Sequence, residues 1–145
     1  MKATVFWAAI AATSLALAAA GCDPVGGPTL EKRLVSDNPR ERVGAVRELA
    51  DSQDPESDIR LIHLLADQDE GVRFFAAAAL HRRTEKRFDY QAEAPLRQRE
   101  AAIARWIEWY CQEHPEAGPK FEGLLASMKT LDQSAPPTSE EGPSS

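Results

Sequence analysis

From about residue 30 onward, apolar positions recur at helical spacing and no segment alternates as a half-buried strand would, so the chain reads as all-α. Val43, Val46 and Leu49 mark one apolar stripe, and Val72, Phe75 and Leu80 mark a second. Ile103, Trp106, Ile107 and Tyr110 follow at steps of three, one and three, which places them on one helix face. Phe121, Leu124, Leu125, Met128 and Leu131 form a last stripe. Helix starts are signalled by Asn38-Pro39-Arg40-Glu41, with a cap, a proline at the first helical position and an acid three residues after the cap. Asp54-Pro55-Glu56 repeats the cap and proline, and Asp67-Gln68-Asp69-Glu70 offers two alternative caps, Asp67 or Asp69, for the next helix. These signals predict helices over 29–36, 39–51, 55–66, 69–83, 96–113 and 118–131, with a long insert at 84–95.

The pattern also repeats. Arg42-x-x-Ala45-x-x-x-Leu49 returns 31 residues on as Arg73-x-x-Ala76-x-x-x-Leu80, while Asp37 is matched to Asp67 at a shift of 30. Each block puts an alanine where a neighbouring helix can approach closely, and its leucine and flanking Val43, Val46, Val72 and Phe75 are expected to fill a shared core. A third block, Arg99-x-x-Ala102-x-x-x-Trp106, keeps the spacing after the insert.

The ends of the chain have a different character. Lys2 is followed by an uncharged run, Ala3 to Ala20, in the order of a secretory signal. The run is nearly long enough to span a bilayer, which leaves a retained anchor as an alternative. The small residues Ala18-Ala19-Ala20-Gly21 favour cleavage, and Ala18-x-Ala20 also suits ordinary signal peptidase. Residues 23–29, rich in Pro and Gly, read as a tether. Residues 132–145 have no apolar face to bury and read as a disordered tail.

Four resemblances attach to these residues. Leu17-Ala18-Ala19-Ala20-Gly21-Cys22 resembles a lipobox, with Ala19 where leucine is commonest. The resemblance implies a signal peptide over 1–21, cleavage between Gly21 and Cys22, and diacylglycerol and N-acyl lipid on Cys22. It places residues 22–29 as a lipidated tether on the extracytoplasmic side of a bacterial membrane. Asp23 resembles the inner-membrane retention signal of some bacterial lipoproteins, a rule that varies between lineages. Asp67-Gln68-Asp69-Glu70-Gly71-Val72-Arg73, with the Ala-rich run that follows, resembles the HEAT-like repeats grouped with phycobilisome lyases. The first repeat departs, with Arg42 one residue closer to its Asp and Val43 after the arginine rather than before it. The resemblance implies a short α-solenoid of antiparallel helix pairs over 30–131, in which Asp37, Arg42, Asp67 and Arg73 form a structural ladder. Arg99-x-x-Ala102-x-x-x-Trp106-x-x-Trp109 resembles the aromatic ending of such repeats in some envelope proteins, so the helix over 96–113 is expected to cap the stack.

Composition narrows the chemistry. The 145 residues carry 17 basic and 23 acidic side chains, a net charge of −6, which argues against general nucleic-acid binding. Of the two cysteines, lipidation of Cys22 would leave Cys111 a lone thiol, best read as a small buried apolar residue. His63, His81 and His114 form no His-x-x-x-His pair, no Cys-x-x-Cys is present, and no serine or cysteine sits in a nucleophile motif, so neither a metal nor catalysis is expected. Arg82, Arg83, Lys86 and Arg87 cluster at a predicted helix end; they are read as a solvated C-terminus or as a contact for an acidic partner or anionic headgroups. Together these features lead to a lipid-anchored, non-catalytic module that binds another envelope protein. The alternatives are an accessory enzyme or cofactor-handling protein, or a purely structural lipoprotein.

Overall fold

A computed structural model describes the backbone of residues 27–134 and the side chains of 27–130. Gly21, Cys22, the signal segment and most of the tether and tail lie outside the described residues. Within them the fold is all-α, without a strand. The helices are α1 (Leu30–Leu34), α2 (Pro39–Asp51), α3 (Glu56–Leu64), α4 (Glu70–Thr84), α5 (Leu96–Glu113) and α6 (Glu122–Ser134), with a 3-10 segment at Pro115–Phe121.

The helix starts follow from short polar side chains that satisfy otherwise orphaned N–H groups. Asn38 accepts from the Arg40 N–H at 3.1 Å, Asp54 from Glu56 at 2.9 Å and Asp69 from Val72 at 3.0 Å. No capping box closes at α2, because the Asn38 N–H donates to Ser36 Oγ at 3.2 Å rather than to Glu41. The last predicted helix begins four residues later than expected. Pro115 and Pro119 have no N–H to donate, so the chain winds through the tighter 3-10 segment, which buries Ala117 and Phe121 before α6 starts. Helix α6 then runs to Ser134, past the expected start of the tail.

The core gathers Leu49, Leu61, Ile62, Leu65, Val72, Leu80, Ile103, Trp106 and Phe121, each at most 1 % exposed. Helix α4 packs on both α2 and α3, and α5 packs on α3 and on the 3-10 segment and α6 that follow it. The buried positions of α4 are Val72, Arg73, Ala76, Ala79 and Leu80, an i, i+4, i+7, i+8 stripe. Phe75, expected in the core, is 39 % exposed. It precedes Ala76, the centre of the stripe, by one residue and so lies about 100° around the helix from it. Phe74 and Ala78 lie nearly opposite Ala76, and both are exposed.

Candidate interaction surface

Arginines organise the domain from inside. Arg42 is clasped by Asp67, with Nε to Oδ2 at 2.8 Å and Nη2 to Oδ1 at 2.9 Å, and the two side chains are only 5 % and 8 % exposed. Its third bond runs from Nη1 to the Ser36 carbonyl at 2.5 Å. The hydrogen bond to Asp67 raises the Arg42 pKa further above its ordinary value and outweighs desolvation. Arg73, 31 residues on, repeats the backward bond from Nη1 to the Asp67 carbonyl at 2.9 Å and adds the Gln68 carbonyl at 2.9 Å. Its Nε reaches the Ala92 carbonyl at 2.9 Å and pins the 84–95 insert to α4. Arg99 also bonds backward, but from Nε and to the Ala94 carbonyl five residues before it, at 3.0 Å.

These bonds correct the register of the repeat. A single shift of 31 relates Asn38 to Asp69 as caps, Pro39 to Glu70 as first helical residues and Arg42 to Arg73. By that shift the counterpart of Asp67 is Ser36, not Asp37. The side-chain roles agree, since Ser36 Oγ accepts from the Asn38 N–H and Asp67 Oδ1 from the Asp69 N–H at 2.8 Å. Ser36 suffices because no earlier arginine reaches it, whereas Asp67 must also neutralise Arg42. Asp37 is exposed and acts on Arg42 through its charge. The residue in the corresponding place before α5 is Glu93, two positions ahead of Pro95, which occupies the cap position. Arg73 takes the neighbouring Ala92 carbonyl instead, and exposed Glu93 makes no ion pair with it.

The basic cluster does not present four free charges. Arg83 is largely buried, bonded to Asp58 at 2.5 Å and to the Ser52 carbonyl at 2.5 Å, and thereby ties the end of α4 to the α2–α3 turn. Arg82 pairs with Asp51 at 2.6 Å on the open surface, where such a pair contributes about 0–1 kcal/mol. Lys86 lies over the Trp109 ring at 5.6 Å. Arg87 alone of the four pairs with no carboxylate and lies over no aromatic face among the described residues; its Nε and Nη2 meet His81 Nε2 at 3.3 and 3.0 Å.

Trp106 is buried at 1 % exposure beneath Phe88, whose ring it meets edge-on at 4.8 Å. Trp109 is partly buried and donates to Glu113 at 3.0 Å. His63 stacks on Phe121 and bonds the Lys120 carbonyl, and His114 leans on Tyr110, which accounts for both as packing residues. Burial raises the pKa of the Tyr90 and Tyr110 phenols; they hydrogen-bond the carbonyls of Leu65 and Pro55 at 2.5 and 3.1 Å. Cys111 is half-buried against the core, with no disulfide partner among the described residues.

The outward side of α4 is the feature that single-face reading missed. Phe74, 59 % exposed, and Ala78 form an apolar ridge with a groove on each side. One groove, a cavity of about 350 Å³, lies between α4 and α2 and is lined by Val46, Arg47, Ala50, Phe75, Ala78 and Ala79 among others. The other, about 390 Å³, lies between α4 and the insert, with Trp106 among its lining residues. The only early signal was that α4 carries apolar residues at almost every azimuth. Among the described residues no helix is long and apolar enough to cross a membrane. No family model, no curated protein and no solved structure matches this chain.

Proposed function

We propose that this protein is a lipid-anchored lipoprotein on the extracytoplasmic side of a bacterial membrane, and that its folded part binds another envelope protein without catalysis. The domain is read as a short HEAT-like stack of antiparallel helix pairs, closed by α5 with its Trp106 and Trp109. Support for the repeat comes from the common shift of 31 and the backward bonds of Arg42 and Arg73. The binding role rests on one observation, the exposed Phe74 and Phe75 flanking two apolar grooves. Contiguous aromatic surface is costly to leave in water and marks contact sites. The anchor rests on the Gly21-Cys22 junction and the apolar run before it.

Two measurements test the reading. Mass spectrometry of the mature N-terminus should find lipid on Cys22; an unmodified terminus near Gly21 would overturn the anchor. Affinity capture from membranes should recover a stoichiometric protein partner, and the Phe74→Ser/Phe75→Ser double variant should lower its recovery about tenfold. Both rings are exposed, so the double variant should keep its helical circular dichroism. Undiminished capture would exclude the α4 face as the contact.

A further inference from the structure

The groove between α4 and the insert differs from its neighbour in having a built polar end. Its walls are Phe74, Ala77 and Ala78 on α4 and Tyr90 and Ala92 on the insert, with Trp106 contributed by α5. At about 390 Å³ it falls within the range of small-ligand pockets. His81 and Arg87 also line it.

The His81–Arg87 contact fixes the guanidinium in one posture. Arg87 has no acceptor to offer, so its Nε and Nη2 donate to His81 Nε2, and His81 Nδ1–H donates to the Lys86 carbonyl at 3.2 Å. This arrangement occupies one edge of the guanidinium with a neutral acceptor. The charge and the Nη1 donors remain unpaired, because no carboxylate of the described residues lies within ion-pair reach. Glu93, the one carboxylate of the lining, makes no ion pair either.

The loop carrying Arg87 is held in an uncommon backbone. Glu85, Phe88 and Asp89 all have positive φ, at 60°, 49° and 55°. For a bulky aromatic such as Phe88 that conformation is strained and persists only where surroundings impose it. Trp106 packs on the Phe88 ring, and Arg105 Nη1 donates to the Phe88 carbonyl at 3.0 Å. Beside this loop, the buried Trp106 Nε1–H has no acceptor among the described residues. A buried donor left unpaired costs about 1–3 kcal/mol, so an oxygen brought to it would be stabilised.

The geometry points to a binding site for a carboxylate carried on an apolar body. Arg87, held by His81, receives the carboxylate, and the walls of Phe74, Ala77, Ala78 and Trp106 cover the apolar part. A free aryl or acyl acid and the C-terminus of a polypeptide ending in a large apolar residue share this chemistry. Glu93 at the rim disfavours additional negative charge. His81 is a positioning residue that orients Arg87 and keeps Nε2 as its acceptor.

The test uses the full chain in lipid nanodiscs, labelled with ¹⁵N, with the Trp106 indole N–H followed by NMR. Trp109→Phe assigns the second indole, and Trp7→Phe assigns a third where residues 1–21 are retained. Titration with 3-phenylpropionate should move the Trp106 resonance to saturation with a Kd on the order of 0.1–1 mM. Arg87→Gln should weaken binding about tenfold, Arg87→Lys less, and 3-phenylpropanol, with the same body and no charge, should bind at least as weakly as the acid binds Arg87→Gln. Glu93→Gln should tighten acid binding by about two- to threefold. Acetyl-Ala-Ala-Phe as the free acid and as the amide separates the sources. Acid-dependent peptide binding assigns the site to chain termini, and a response to phenylpropionate alone assigns it to small acids. Absence of saturable movement with either acid up to about 10 mM, or equal affinity in Arg87→Gln, overturns the site.

Discussion

Asp67→Ala is expected to remove about 3–5 kcal/mol of unfolding free energy, measured by urea denaturation, because it strands a buried guanidinium. Arg42 and Asp67 are only 5 % and 8 % exposed and joined by two parallel bonds at 2.8 and 2.9 Å. The alanine leaves Arg42 with the Ser36 carbonyl as its remaining acceptor and also takes away the acceptor of the N–H of Asp69, the α4 cap residue. Asp67→Asn keeps a side-chain oxygen for Asp69 and should lose less, about 1.5–3 kcal/mol, because the bond to Arg42 is no longer charge-assisted. Replacing both partners, as Arg42→Met/Asp67→Leu, should recover much of the loss, since most of the penalty comes from leaving one charge unpaired. Arg82→Ala, which breaks an exposed pair, supplies the contrast and should change stability by under about 1 kcal/mol. A loss below about 1 kcal/mol for Asp67→Ala would mean that water reaches Arg42 and that the pair is not the joint between α2 and the turn before α4.

Which of these features could be read before folding depends on whether local chemistry sufficed. Asn38-Pro39 starts α2 where expected, because the cap and the proline act within one turn. The α5 boundaries also agree with expectation, since the apolar face of Ile103, Trp106, Ile107 and Tyr110 has no competing face. Contrast fails at α4. Its phenylalanines and alanines leave no polar side to mark outward, so Phe75 could be assigned to the core although it lies on the flank of the helix. Residue identity matches Asp37 to Asp67, whereas the geometry that recurs along the chain is a side-chain acceptor two residues before the cap, which Ser36 provides equally well. Arg83 reads as a surface charge at a helix end until Asp58 and the Ser52 carbonyl, 25 and 31 residues away, close around it. The insert was the least legible part. Three left-handed residues without a glycine give no turn signal, and their conformation depends on tertiary contacts with Trp106 and Arg105.

That dependence sets the expectation for Trp106→Ala, a loss of about 3–5 kcal/mol with the 85–95 segment released ahead of global unfolding. The indole is 1 % exposed and contacts the Phe88 and Trp109 rings at 4.8 and 5.7 Å, so truncation leaves a void that the surrounding helices can only partly close. It also removes the packing that holds Phe88 at a φ of 49°. Trp106→Phe separates volume from polarity. Since Nε1 has no acceptor, phenylalanine forfeits no hydrogen bond, and its cost of about 1–2 kcal/mol reflects lost contact alone. Hydrogen exchange distinguishes the two supports of the insert. If the indole holds it, amides of residues 85–95 should exchange faster in Trp106→Ala under conditions where α2 and α4 stay protected. If those amides keep their protection relative to the rest of the domain, the Arg73 bond to Ala92 and the Tyr90 bond to Leu65 suffice, and the strained Phe88 turn is held without the tryptophan.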